Sequence, residues 1–211
     1  MIYRALIPVK TLHQAKSRLA PYLKEEERAA LVFEMLHHVV LVLQASLEFD
    51  QISVVSPDLH VLEQAQQWGC EALIEEQQGH NPALEAAASK ALAAGIDMLL
   101  TISVDLPLLQ ISDICNIMEQ ARQSDVVLAP SLDGTGTNAL LVRPPLALPY
   151  LFGPGSLQRY VAEAKQRHLS LTFVKSVGLA LDIDTINDLE MYQRHKGESE
   201  AAHVAHVTYF S

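Results

Sequence analysis

Three aspartates stand where a carboxylate needs explaining. Asp105 follows the apolar run 98–103, so burying its charge is costly unless a cation or hydrogen-bond donors meet it. Alone, it reads most simply as a turn former or helix cap, and alternatively as a ligand for Mg²⁺, a hard cation that prefers carboxylate oxygens. Asp182 and Asp184 are two positions apart, which places both side chains on one face of an extended segment. Two such carboxylates repel unless a cation lies between them. Helix capping accounts for Asp184 and leaves Asp182 without a reason. Together the three acids point to a divalent metal.

Positive charge is concentrated elsewhere. Lys10, Lys16 and Arg18 lie within nine positions of one loop, in a chain with 15 Lys plus Arg against 25 Asp plus Glu and a net charge of −10. That loop is either a solvated basic turn or an anion site, and a polyphosphate fits the second reading because it also brings a metal. Residues 134–137, Gly-Thr-Gly-Thr, allow close backbone approach and offer hydroxyls, or form an ordinary hairpin turn. Gly153-Pro154-Gly155-Ser156 before a helix presents amides and a hydroxyl at its positive end, or simply a cap.

The elements that must position these groups alternate. Strands are expected at 2–9, 52–55, 72–74, 98–103, 125–129, 139–142 and 171–174, with a strand end at 179–182. Helices are expected at 25–45, from Asp58 to Gly69, from an Asn81 cap and Pro82 to Gly95, over 112–122, from a Ser156 cap to 168, and from near Thr185. Such alternation implies an α/β fold: three layers around a mainly parallel, doubly wound sheet. Ligands of open α/β sheets bind at the carboxyl ends of strands. Lys10, Lys16 and Arg18 follow the first strand, Ser56 and Asp58 the second, Gly79 and Asn81 the third, and Asp105 the fourth. Residues 1–194 read as one domain, and 195–211 as a loosely attached tail without steady periodicity.

Composition narrows the function classes. Of the 211 residues 49% are hydrophobic and 19% charged, enough for a core that removes roughly 70% of the unfolded chain's surface from water. The acidic balance argues against nucleic acid as a partner. Cys70 and Cys115 have no metal or redox spacing, and the nine histidines do not cluster at zinc-site intervals. No signal sequence is apparent, and contiguous apolar stretches fall short of the roughly 18 residues a bilayer span needs. A cytoplasmic protein without membrane partners is expected; oligomeric state, a homodimer included, is left open. There is no P-loop and no Gly-x-Gly-x-x-Gly after the first strand, so kinase and dehydrogenase readings lose support. Ser103 and Ser156 lack a nucleophile-elbow context.

In order along the chain come Ile7-Pro8-Val9-Lys10, Ala15-Lys16-Ser17-Arg18-Leu19, Val54-Val55-Ser56-Pro57-Asp58 and Asp105-Leu106-Pro107-Leu108. Then follow Gly134-Thr135-Gly136-Thr137-Asn138-Ala139-Leu140, Phe152-Gly153-Pro154-Gly155-Ser156 and Gly178-Leu179-Ala180-Leu181-Asp182-Ile183-Asp184-Thr185. Over about residues 1–192 this series resembles the guanylyltransferases of deazaflavin-coenzyme (F420) biosynthesis; residues beyond Arg194 match no motif of theirs. The resemblance implies a nucleotide-diphospho-sugar transferase-like fold. It also implies transfer of GMP from GTP to a three-carbon phospho-acid (2-phospho-L-lactate, phosphoenolpyruvate or 3-phosphoglycerate) with release of pyrophosphate. It implies metal ligation by Asp105, Asp182 and Asp184, phospho-acid binding by Thr137, Gly153 and Ser156, and a phosphate-facing loop with Lys16, Lys10 and Arg18. Pro8, Ser56, Gly79 and Asn81 fall in the nucleotide half. His80 departs from the family's usual Gly-Gly-Leu-Asn, a change that bears on base contacts. A non-catalytic nucleotide-binding module, or a nucleotidyltransferase for another phosphorylated acceptor, is the alternative. Acceptor-dependent pyrophosphate release separates enzyme from module.

Overall fold

The computed structural model describes residues 1–75 and 79–195. The strands are β1 (Tyr3–Pro8), β2 (Gln51–Ser56), β3 (Glu71–Ile74), β4 (Met98–Ile102), β5 (Val126–Pro130), β6 (Thr137–Val142) and β7 (Leu171–Phe173). The helices are α1 (Glu25–Ser46), α2 (Leu59–Gln67), α3 (His80–Ala93), α4 (Ile111–Ala121), α5 (Ser156–Gln166), the short α6 (Val177–Ala180) and α7 at 186–195. The tail expected at 195–211 lies outside the described residues except for His195, which belongs to α7.

All seven strands form one sheet in the order β3-β2-β1-β4-β6-β5-β7. β1 pairs in parallel with β2 and β4, β2 with β3, and β5 with β7. β6 is antiparallel to both its neighbours, with Thr101 opposite Leu140 and Leu128 opposite Leu140. The sheet is therefore mixed, and the departure from parallel order lies beside the strand that delivers Asp105.

One layer of core lies between the sheet and α1, α2 and α4, through residues such as Ile7, Leu36, Val39, Val54, Leu100 and Ile117. The opposite layer joins Leu6, Leu99, Leu128 and Leu140 to Leu84 and Ala88 of α3 and Tyr160 of α5. β4, β5 and β6 are buried on both faces, which is why they carry the apolar runs 98–100, 126–130 and 139–142 rather than an alternating pattern.

Helix α1 is longer and more apolar overall than its contiguous runs suggest. At 22 residues it is long and apolar enough, by length and composition, to cross a bilayer. The contiguous apolar runs within it are short because His37, His38 and Gln44 interrupt them. Its Val32, Met35, Leu36, Val39, Val40 and Leu43 are buried in the core against the sheet.

Two helix starts also differ from expectation. α3 begins at His80 behind Gly79, whose φ of 110° suits glycine, so Asn81 is inside the first turn and does not cap it. α5 begins at Ser156 behind Gly155, and the serine hydroxyl makes no cap bond. Residues 179–180, read as part of a strand end, belong instead to the single turn α6, which Ser176 caps through the Leu179 amide.

Candidate active site

Lys16 is the hinge of the site. It lies beyond β1 with φ 53° and ψ 38°, a left-handed conformation that costs a non-glycine residue about 1–3 kcal/mol. Hydrogen bonds from Leu19 N–H to Lys16 O and from Ala20 N–H to Ser17 O fold the following turn and fix the conformation. Its ammonium is 2.5 Å from Asp105 Oδ2 and 3.1 Å from Asp184 Oδ1, although these residues are 89 and 168 positions distant. Arg18, mostly exposed, reaches within 3.9 Å of Asp184.

The carboxylates are held by their own segments. Asp105 accepts from the Ser103 hydroxyl at 2.5 Å, and its carbonyl accepts the Ile183 amide, tying the end of β4 to the 181–184 segment. Asp182 Oδ1 accepts from Asn138 Nδ2, which also donates to the Leu179 and Ala180 carbonyls. The turn after Asp184 is closed by Asp188, which accepts the Asp184 and Thr185 amides and the Thr185 hydroxyl. Asp105, Asp182 and Asp184 each bring a carboxylate oxygen within 4.8 Å of the other two. An all-oxygen donor set at that spacing fits a hard divalent cation.

Charge in this cluster is tightly coupled. Burial works against the Asp105 anion, yet the adjacent Lys16 charge and its hydrogen bond, with the Ser103 hydroxyl, hold its carboxyl below the usual range. Burial likewise opposes the Lys16 cation, and attraction to Asp105 and Asp184 prevails to raise it. Asp182 has no cation. Burial first, then repulsion from Asp105 and Asp184 against the Asn138 bond, pushes it up to about 6. An acid raised by burial and by neighbouring carboxylates is one that an added positive charge would stabilise in its ionised form.

A second group adjoins the cluster through Asn138. Thr137 and Ser156 are both buried, and Ser156 Oγ donates to Thr137 Oγ1 at 3.1 Å. Gly153 has a φ of 119° and leads into Gly155 and α5. The amides of Ser156 and Leu157 already donate to Gly153 O and Thr135 O. Polar side chains of this region include the hydroxyl pair, the Arg159 guanidinium, which donates to Leu151 O, and Gln158, which donates to Gly134 O.

A cleft of about 320 Å³ opens at the carboxyl ends of β1, β2 and β3. It is lined by Pro8, Lys10, Gly79 and His80, which the sequence reading names, and also by Thr11, Gln14 and Glu75, which sequence reasoning did not single out. Ser56 and Asn81 are placed differently. The Ser56 hydroxyl, fully buried, accepts the Asp58 amide. Asn81 exchanges two hydrogen bonds with the Phe152 backbone, 3.1 and 3.0 Å long, and so joins the start of α3 to the loop before α5.

Sequence comparison identifies the fold of chemistry to which this arrangement belongs. Residues 3–204 match the family model described as guanylyl transferase CofC like, a span that runs past Arg194. The chain belongs to that family. A phosphoenolpyruvate guanylyltransferase of Sphaerobacter thermophilus is 40% identical over 191 residues, covering 90% of this chain and 92% of its own. A 2-phospho-L-lactate guanylyltransferase of Methanothermobacter thermautotrophicus is 38% identical over 186 residues, covering 88% and 81%. Membership makes this CofC-like protein a nucleotidyltransferase. Its fold is also that of solved structures at low identity. A Desulfovibrio desulfuricans protein provisionally assigned as a nucleotide-diphospho-sugar transferase superposes with a TM-score of 0.76 at 17% identity, covering 92% of this chain and 88% of that one. The 4-diphosphocytidyl-2C-methyl-D-erythritol synthase of Anaerococcus prevotii superposes with a TM-score of 0.61 at 13% identity, covering 93% and 98%.

Proposed function

We propose that the protein transfers GMP from GTP to the phosphate of a small three-carbon phospho-acid, releasing pyrophosphate, as a step of coenzyme F420 biosynthesis in the cytoplasm. The observation that carries the reading is the meeting of Asp105, Asp182 and Asp184 with Lys16 beside a cleft of nucleoside size. The aspartates would hold Mg²⁺, which when bound neutralises charge developing on the transferred phosphoryl group.

The chain's own residues then have separable tasks. Lys16, with Lys10 and Arg18 around it, attracts the triphosphate to the end of the cleft. Thr137, Ser156 and the Gly153 turn hold the acceptor one residue away from the Asn138–Asp182 bond. An oxygen of the acceptor phosphate attacks the α-phosphorus of GTP, a new P–O bond forms, and the bond to the β-phosphate oxygen breaks with its electron pair leaving on pyrophosphate. The acceptor phosphate is an anion at neutral pH, so no side chain need remove a proton. Catalysis here is the positioning and screening of two anions that repel.

Names of the relatives support both phosphoenolpyruvate and 2-phospho-L-lactate as acceptors. The test is to incubate the protein with GTP, Mg²⁺ and each of phospholactate, phosphoenolpyruvate and 3-phosphoglycerate, following pyrophosphate and the mass of the GDP-linked product. Pyrophosphate that appears at the same rate without any acceptor would refute the transfer.

A further inference from the structure

We infer that Glu75 reads the nucleobase: its carboxylate accepts from the N1–H and N2 amino group of guanine, with the Thr11 hydroxyl as a second ligand-facing group of the same cleft. This assignment rests on the guanylyl-transfer reading and adds to it the residues that choose the base.

The cleft has apolar walls, Pro8, Val9, Val55, Pro57, Ala83 and Leu84, suited to the faces of a flat ring. Polar groups at its edge decide which ring. Among the described lining residues Glu75 supplies the one carboxylate, half-buried and with no side-chain partner, while its backbone amide is fixed to Ser56 O at 3.0 Å. An unpaired carboxylate in a cleft for a triphosphate repels the phosphates unless it faces donors instead. Guanine offers two adjacent donors on its Watson–Crick edge, a match for the two carboxylate oxygens; adenine offers an acceptor at N1 and is repelled. Burial and Lys10 lower the pKa of His80, and Asp105 opposes this, so its ring lies within reach of both charges. The second observation is Thr11. Its Oγ1 is buried without any hydrogen-bond partner, a rare state for a native hydroxyl and one that a bound ligand relieves.

Binding separates this from turnover. Calorimetry of GDP and IDP, which differ by the N2 amino group, is expected to show GDP bound roughly 10- to 100-fold tighter by the wild-type protein. In Glu75→Ala the two should converge to within about threefold, GDP falling more than IDP, and Glu75→Gln should move the same way with its shape preserved. Thr11→Val should weaken both nucleotides without lowering Tm, since it removes an unsatisfied buried hydroxyl. A GDP/IDP ratio unchanged in the folded Glu75 variants, or wild-type protein binding both alike, overturns the assignment. Discrimination that persists in a protein releasing no pyrophosphate with any acceptor would sink the transfer reading and leave this one standing.

Discussion

Asp182 and Lys16 show how the charges of the cluster oppose one another residue by residue. The Asp182 carboxyl is pushed up to about 6 in the folded protein, above the ordinary value of 3.8 that it has in the unfolded chain. The folded state therefore holds a proton that the unfolded chain has released between about pH 4 and pH 6, and stability falls as pH rises through that window. Above it Asp182 contributes an unfavourable ionised group. Asp182→Asn is expected to raise the Tm of the metal-free protein at pH 7 by about 2–4 °C, with the Asn138 bond retained, while nearly abolishing turnover. A melting curve at pH 7 that is unchanged or lower would contradict the charge argument. Lys16 is the opposite case. Its side chain is 6% exposed and Asp105's 15%, so Lys16→Met strands a buried carboxylate. A loss of about 3–5 kcal/mol is expected at neutral pH, partly restored by millimolar Mg²⁺ as the metal supplies the missing charge. Urea titrations with and without Mg²⁺ measure both, and a variant as stable as wild type would show the pair to be unimportant for folding.

At the scale of elements, much was legible because it is local, and the rest was not because it is set by partners distant in sequence. Asp58 caps α2 through the His60 amide, as its position after Ser56-Pro57 suggests. The runs of β1, β2 and β4 are apolar enough to read as strands, and beyond the ends of β1 and β4 Lys16 meets Asp105, as the strand-end rule leads one to expect. The antiparallel seat of β6 between β4 and β5 was not legible, since strands buried on both faces carry no alternation to fix direction. Asn81 looked like a cap because Asn-Pro is a strong helix start; Gly79 takes that position, and Asn81 joins two loops instead. The role of Asn138 is not legible because its partners lie across the fold, whereas Ser103 and Asp188 bond residues two to four positions away and gain their meaning only from where the fold places Asp105 and Asp184. Gly178 is a further case. A Cβ there would stand 2.3 Å from Asp113 Oδ2 and 2.6 Å from Leu108 O, so α6 packs on the start of α4 with no room for a side chain. Gly178→Ala must displace α6 and with it the strand of chain bearing Asp182 and Asp184. A loss of about 1–3 kcal/mol is expected, with a larger fall in kcat than in acceptor affinity. Retention of full kcat would mean that α6 does not set the aspartates.

Across the whole molecule the site is assembled from three regions that share no local sequence: the loop after β1, the end of β4 and the segment before α7. Only the folded sheet brings them within bonding distance, so any ligand that bridges Lys16 and the aspartates also cross-links the first and last parts of the described chain. Its binding energy must appear as global stability, because the unfolded chain cannot assemble the site. At a nucleotide concentration near 100 times its dissociation constant the gain is about 2.7 kcal/mol, which for a chain of this size raises Tm by roughly 5–10 °C. Mg²⁺ with GTP should produce that shift, and amide exchange should slow together in the 16–19 turn, at 103–106 and at 180–188. Asp105→Asn should lose both effects. The net charge of −10 opposes a polyanion overall, yet charges beyond about 8 Å are screened at physiological salt, so in the proposed reaction the local cations Lys10, Lys16 and Arg18 are the ones to govern capture. Protection confined to one of the three regions, with no rise in Tm, would show that the ligand sits on a single element and that the cluster is not its shared seat.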